Sequence, residues 1–426
     1  MTYEQARAYA AKVSRSGSIL GLESIRNLMH ELSDVQEQLN IIHIAGTNGK
    51  GSTGAFLESV LMEAGYRVGR YTSPAVFDPL EVWRINRENI SREDYADMME
   101  QVKDACDRMT EKGMEHPTIF EVETALAFLY FYRNKCEYVL LEVGMGGRED
   151  ATNLITHPVC SVLTSISMDH MQFLGDTLEK IAWAKAGIIK KGCPVVTTEQ
   201  KEEALHVIEE EAAKQQSMLV LSDASHIRIE NASPKELAFS YPGLGSVHLK
   251  LSGTYQIENC CLAITVLKRM IKIEDSIILS GLGKTVWPGR FEVVGESPLF
   301  LIDGAHNEDA AIKLRKSVEN YFTNIPITYI IGVLADKEHK KVLKTMLPLA
   351  GSVYTVTPEN ARAMRAEALA EEAEECIREL GIRKVPVRAC HSIEEAVELA
   401  GKNTPENGVI LAFGSLSYLS EIKKNL

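Results

Sequence analysis

The chain has 426 residues, of which 45% are hydrophobic and 25% charged, and a formal net charge of −13. That length exceeds what one hydrophobic core organises, so two or three domains are expected. The acidic balance disfavours a nucleic-acid surface, which needs clustered Lys and Arg, and no run of about 18 apolar residues offers a membrane span.

In chain order, 1-MTYEQARAYAAKVSRSG-17 reads as an amphipathic helix. It carries Glu4 and lacks the apolar core and cleavage site of a signal peptide. Residues 22-LESIRNLMHEL-32 place Leu22, Ile25, Leu28, Met29 and Leu32 on one helical face. The first strand is 41-IIHIA-45, followed by the loop 46–53 and a helix with Phe56, Leu57, Val60 and Leu61 on its apolar positions. Next comes 70-RYTSPAVFDPLEVWRIN-86, a strand running into a Ser-Pro loop. The run 138-YVLLEVG-144 is almost wholly apolar, as a parallel strand covered on both faces should be. Further strands are expected at 159-VCSVLTSI-166 and 194-PVVTT-198.

Residues 226–251 differ, with short runs separated by Asn, Pro and Gly that predict a small antiparallel patch. The segment 287-WPGRFEVVGESP-298 has the Pro, Gly and Ser of a connection. Then the strand–helix alternation restarts with 299-LFLIDGA-305, 327-ITYIIGVL-334, 353-VYTVT-357 and 408-GVILAFG-414. The expected division is 1–296 and 297–426. The eight cysteines form no CxxC pair, and reduced thiols in a cytosolic protein are the economical expectation.

The loop 46-GTNGKGST-53 lies between a strand and a helix. Gly46, Gly49 and Gly51 permit backbone N–H groups to converge on an anion, and the helix start adds its partial positive charge. Lys50 can reach terminal phosphate oxygens, and Ser52 or Thr53 can ligate Mg²⁺. The spacing is GxxGKGST rather than GxxxxGK[ST], but an ordinary glycine-rich turn needs neither the lysine nor the paired hydroxyls. Nucleotide phosphate binding is therefore expected.

Glu142 ends a strand before the turn containing Gly144, Gly146 and Gly147, at the edge where open parallel sheets bind ligands. Asp169 and His170 follow another strand, and Lys185 stands in 181-IAWAKAGIIKKG-192. Taken singly, such a histidine or lysine is usually structural.

The motifs GTNGKGS, YTSP, LEVGMGGREDATN, MDH…LG, KAGIIK, LSGTYQIEN, WPGRFE, IDGAHN and GVLADK occur in this order over nearly the whole chain. In this set the chain resembles the folylpolyglutamate synthase and dihydrofolate synthase branch of the Mur ligase superfamily. The expected fold is α/β. It comprises a larger N-terminal P-loop-type mononucleotide-binding domain, with a mostly parallel sheet and the antiparallel patch, and a smaller C-terminal Rossmann-like domain.

The resemblance implies that Gly46, Thr47, Asn48, Gly49, Lys50, Gly51, Ser52 and Thr53 form the triphosphate loop. It implies that Ser52, Ser73 and Glu142 ligate one Mg²⁺, and that His170 with Glu142 belongs to a second metal site. Lys185 matches a lysine that the family carries as a carbamate. Asn259 and Arg290 match nucleotide contacts, and Asp303 and His306 match residues that close over ATP and the incoming amino acid.

The implied activity is ATP-dependent addition of L-glutamate to a folate carboxylate through an acyl phosphate. Lys50 and metal ions would offset the repulsion between carboxylate and phosphate, and a closing cleft would exclude water. The implied partners are small molecules only: ATP, L-glutamate, and folate or dihydropteroate. A cytoplasmic monomer is expected.

Acceptor identity stays open between folate, dihydropteroate and both. A cell-wall Mur ligase is disfavoured by LEVGMGGREDATN and WPGRFE, and an ATP-driven scaffold protein by the acid, His and Lys set. The family often has a histidine after TSP and a Glu-Arg pair shortly afterwards. Here Ala75 and then Glu81-Val82-Trp83-Arg84 stand instead, a departure that bears on substrate identity. Trp83 either stacks on a pterin or packs in its loop. Phe120 either lines a folate pocket or begins an apolar helix. Lys337 either meets glutamate or phosphate or is a surface lysine.

Overall fold

The computed structural model describes residues 1–14, 21–382 and 385–426. The N-terminal helix spans Tyr3–Val13, started by a capping box in which Thr2 and Gln5 satisfy each other's backbone N–H. Residues 15–17 of the expected stretch lie outside the described residues. Contacts group the chain into two units, Met1–Ser225 with Glu258–Leu282, and His226–Ile257 with Gly283–Leu426.

The first unit holds an eight-stranded sheet of β1 (Ile41–Ala45), β2 (Val68–Tyr71), β3 (Trp83–Ile85), β4 (Glu88–Asn89), β5 (Tyr138–Glu142), β6 (Cys160–Leu163), β7 (Val195–Thr197) and β8 (Leu219–Leu221). Their order is β4-β3-β2-β5-β1-β6-β7-β8. All neighbours are parallel except at the β2–β3–β4 edge, which is antiparallel.

Strand β1 is buried at all five positions, because Ile42 pairs with Leu140 of β5 on one side and Cys160 of β6 on the other. The chain leaves β1 for the β2 side and later returns to β6 on the other. The carboxyl end of β1 is therefore a topological switch point, where open α/β sheets bind ligands.

One core packs Ile25, Leu28 and Met29 of helix Glu23–Glu31 with the helices Arg92–Glu111 and Ile119–Arg133. A second gathers Ile181, Ala182 and Ala186 of helix Leu178–Ala186 with Ala204, Ile208 and Ala212 of helix Glu202–Lys214.

In the second unit the expected antiparallel patch is β9 (Arg228–Ser233), β10 (Glu236–Tyr241) and β11 (Gly245–Leu249). The other sheet comprises β12 (Glu292–Glu296), β13 (Leu299–Ile302), β14 (Ile327–Ile331), β15 (Ser352–Thr355), β16 (Val387–Ala389) and β17 (Val409–Phe413). Their order is β12-β13-β17-β14-β15-β16, antiparallel only at β12.

One expectation differs from this arrangement. Residues 287–298 are not merely a connection, since they contain edge strand β12. It is half-buried and has a register irregularity between Val293 and Gly295, which hides any alternation. By contacts the antiparallel patch groups with the second unit, and the chain passes between units after Ser225, Ile257 and Leu282. Contacts distant in sequence decide that grouping.

All eight cysteines are free thiols. No helix among the described residues is long and apolar enough to cross a membrane.

Candidate active site

The loop after β1 is built around two close approaches. Gly46 has φ +147°, and a Cβ there would lie 1.8 Å from Thr164 Oγ1. Gly49 has φ +93°, and its Cβ would lie 2.3 Å from Asn259 Oδ1. Only glycine combines that backbone with that proximity. The loop is tied to the segment after β6: the N–H groups of Thr47 and Asn48 donate to the Ser165 carbonyl (2.9 and 3.3 Å). The Thr47 hydroxyl donates to the Ser167 carbonyl at 3.0 Å and accepts from the Ser167 N–H at 3.1 Å.

The helix Lys50–Glu63 then begins with Gly49 as its N-cap and no side-chain cap. Such a start favours an anion. Ser52 and Thr53 are buried in its first turn.

Two lysines converge on one carbonyl. Lys50 Nζ donates to the Gly46 oxygen at 3.1 Å, and Lys185 Nζ to the same oxygen at 2.9 Å. Lys185 is only 4% exposed. Its helix is seated against the turn after β5, where a Cβ on Gly147 would lie 3.0 Å from the carbonyls of Ala184 and Lys185. Glu142 is paired in register with Ile44, one residue before the end of β1.

Beyond Glu142, Asp150 accepts from the Met145 and Thr152 N–H groups at 2.9 and 3.0 Å. Burial raises the Asp150 carboxyl above its usual range, against those hydrogen bonds. Ser73 follows β2, the parallel neighbour of β5. His170 has φ +51° and precedes the short helix Met171–Leu174. Its N–H donates to Asp169 Oδ1 at 2.8 Å, and its ring is 38% exposed. Among the described residues no group of three or more His, Cys, Asp and Glu could hold a metal by itself.

The second unit gathers Arg290, Asp303 and His306. Asp303 is buried with both oxygens engaged: Oδ2 accepts from Tyr255 Oη (2.6 Å) and the Phe291 N–H (2.8 Å), and Oδ1 from the Ala305 N–H (2.8 Å). Burial raises its carboxyl while the Arg290 guanidinium pulls it down. A Cβ on Gly304 would lie 2.4 Å from Arg290 Nη1, so that glycine admits the guanidinium. His306 Nδ1 is 2.8 Å from the Gly304 carbonyl oxygen. Asp303 is thus an internal anchor of this turn.

Of the loop aromatics, Trp83 is 1% exposed and donates through Nε1 to the Glu123 carbonyl at 3.0 Å, a core position rather than a stacking surface. Phe120 is partly buried, 6.3 Å from Tyr71 between ring centres, with Cζ 2.6 Å from where a Gly144 Cβ would stand. Lys337 lies in a turn, its N–H bonded to the Leu334 carbonyl.

Sequence reasoning missed the buried charges Glu58 and Arg70 and the loop partners Thr164 and Ser165. A signal for the first pair existed: a single charge within the mostly apolar stretches AFLESVL and VGRY.

Two family models match the chain: the Mur ligase middle domain over residues 44–267 and the Mur ligase glutamate ligase domain over residues 289–416. A dihydrofolate synthase/folylpolyglutamate synthase of Bacillus subtilis is 35% identical, covering 100% of this chain and 99% of that one. The crystal structure of folylpolyglutamate synthase from Thermotoga maritima superposes with a TM-score of 0.84 at 31% identity, covering 99% of this chain and 96% of that chain. E. coli FolC in complex with DHPP and ADP gives a TM-score of 0.85 at 27% identity, covering 98% and 97%. With a glycine-rich loop at the switch point, two lysines on one carbonyl and full-length likeness to these proteins, the chain belongs to the Mur ligase family, in its folylpolyglutamate synthase/dihydrofolate synthase branch.

Proposed function

We propose that this chain is an ATP-dependent ligase that joins L-glutamate to the carboxylate of a folate through an acyl phosphate. The observation that carries this is the full-length match to a relative named for that activity, combined with a loop whose glycines, lysine and helix start suit a triphosphate. Residues 46–53 and Asn259 would hold the nucleotide in the first unit. The roles proposed for Arg290, Asp303 and His306 carry over from the family motifs.

Ser52, Ser73 and Glu142 supply hard oxygen donors, and one carboxylate with hydroxyls suits Mg²⁺, which keeps waters and shares substrate phosphates. A second ion would use Glu142 and His170. When bound, the metal would neutralise phosphate charge and orient the transferred group. Lys50 would add positive charge at the phosphates, and Lys185, buried on the Gly46 carbonyl, would be carbamylated to give an acidic group in place of its ammonium.

The B. subtilis relative's name carries both activities, which favours a second reading in which dihydropteroate also serves as acceptor. The free thiols support a reducing, cytoplasmic setting, and we expect a monomer, checked by sedimentation.

The test supplies ATP and glutamate with tetrahydrofolate, a monoglutamyl folate or dihydropteroate. ADP and phosphate should appear only when glutamate and an acceptor are both present. Release that ignores the omission of either would refute the ligase assignment, and the acceptor that supports release fixes substrate choice.

A further inference from the structure

Beneath the phosphate loop lies a group of charges that the proposed chemistry does not use. Glu58, in the middle of helix Lys50–Glu63, and Arg70 of β2 are each 1% exposed. Arg70 Nη1 donates to Glu58 Oε2 at 2.9 Å, and Arg84 Nη2 lies 3.7 Å from the same oxygen. Arg70 and Arg84 are register partners across β2 and β3. The other terminal nitrogen of Arg70 donates to the Gly51 carbonyl, in the first turn of the loop helix. A Cβ on Gly54 would lie 3.2 Å from that nitrogen, so Gly54 provides the slot through which the guanidinium reaches the turn.

Arg70 also stands beside β5, paired with Leu140, and Glu142 follows two residues later on the same face. The Glu142 charge is among those that favour the charged form of Arg70, although burial as the largest influence lowers its pKa. Burying such a cluster is a poor route to stability, since apolar residues of similar volume commonly do as well or better. Its placement between Gly51 and Glu142 has a different use.

We propose that Arg70 is a positioning residue for the metal–nucleotide site. It fixes the first loop turn through Gly51, while Glu58 sets the net positive charge that a divalent cation at Glu142 must meet. This role rests on residues 46–53 holding the nucleotide and Glu142 a cation. Counting Arg70, Arg84 and Glu58, the cluster carries +1 (two positive, one negative). Glu58→Gln raises it to +2, whereas Glu58→Leu with Arg70→Met returns it to +1 but removes the anchor on Gly51. Arg70→Lys keeps the charge but cannot span Glu58 and Gly51 with one planar fork.

The test uses the full chain with Mn²⁺ as probe, free Mn²⁺ read by electron paramagnetic resonance at saturating ADP, and ADP binding read by calorimetry. Glu58→Gln should weaken Mn²⁺ binding about tenfold through uncompensated charge near the site. The double variant should restore Mn²⁺ affinity to within about twofold of the parent, yet bind ADP several-fold more weakly, as should Arg70→Lys. A purely structural cluster would move both affinities together.

If Glu58→Gln fails to fold, the double variant and Arg70→Lys carry the test through ADP affinity, because neither leaves both arginines without a partner. The inference is overturned if those variants bind ADP as the parent does, or if Mn²⁺ affinity ignores the charge count. Lys50→Met separates this from the site assignment. If it too binds ADP like the parent, the phosphate-loop reading fails; if only the cluster variants are silent, Arg70 alone is misassigned.

Discussion

Gly49→Ala probes the proposed phosphate loop where it closes on Asn259. The new methyl would require φ near +93°, where an L side chain is strained, and would stand 2.3 Å from Asn259 Oδ1. The backbone strain costs about 1 kcal/mol, and pushing Asn259 off its preferred rotamer about 1 kcal/mol more. Together these amount to roughly 2 kcal/mol against the binding-competent loop, or about a 30-fold rise in the dissociation constant for ADP, with 1.4 kcal/mol taken per decade. Calorimetric titration of ADP into the parent, Gly49→Ala, Asn259→Ala and the double variant gives each contribution. In the Asn259→Ala background the Gly49→Ala penalty should shrink by about 1 kcal/mol, leaving the backbone share. An equal penalty in both backgrounds would refute the steric argument, and parental affinity in Gly49→Ala would refute the loop as nucleotide cradle.

Lys185→Ala should abolish ligation while leaving ADP affinity within a few-fold, because Lys50 still reaches the Gly46 carbonyl; full activity of this variant without bicarbonate rescue would reject the carbamate. Burial pushes the His43 imidazole down to about 3, so the unfolded chain gains a proton below its ordinary 6.5 while the fold resists until about 3. Stability present above pH 6.5 is therefore lost as pH falls, by as much as roughly 5 kcal/mol, and His43→Asn should flatten that acid limb in urea unfolding. Burial lifts Glu123 the opposite way, from 4.5 to about 7, against the pull of Arg7. Stability present below pH 4.5 is lost as pH rises through 7, so Glu123→Gln should exceed the parent by roughly 3 kcal/mol at pH 8 and match it at pH 4. The two slopes oppose each other between pH 4.5 and 6.5, which makes the single variants more informative than the parent curve.

The parallel strands were legible because burial on both faces leaves a mostly apolar run, broken only by His43 in IIHIA and the terminal Glu142 in YVLLE. The loop at 46–53 was legible because glycine, lysine and hydroxyls occur together between a strand and a helix. Strand β12 was not, since an irregular edge strand flanked by Pro and Gly resembles a connection. Motif position could suggest Asp303 as a site residue but could not reveal that Tyr255, Phe291 and Ala305 already use its oxygens. From sequence Trp83 fits either stacking or packing, and its burial beside the Glu123 carbonyl decides for packing. Glu58 and Arg70 stayed hidden because a lone charge in one segment is a surface residue until its distant partner is known.

Strand β1 is zipped on both flanks by segments about a hundred residues further along, Leu140 on one side and Cys160 on the other. The strand that launches the loop is thus short of both neighbours until the chain has been made well past residue 160, and Asn259 arrives later still. During synthesis, competence to hold a nucleotide would appear abruptly and late. A truncated chain ending before β5 would carry the whole glycine-rich loop and still have nowhere to hold it in shape.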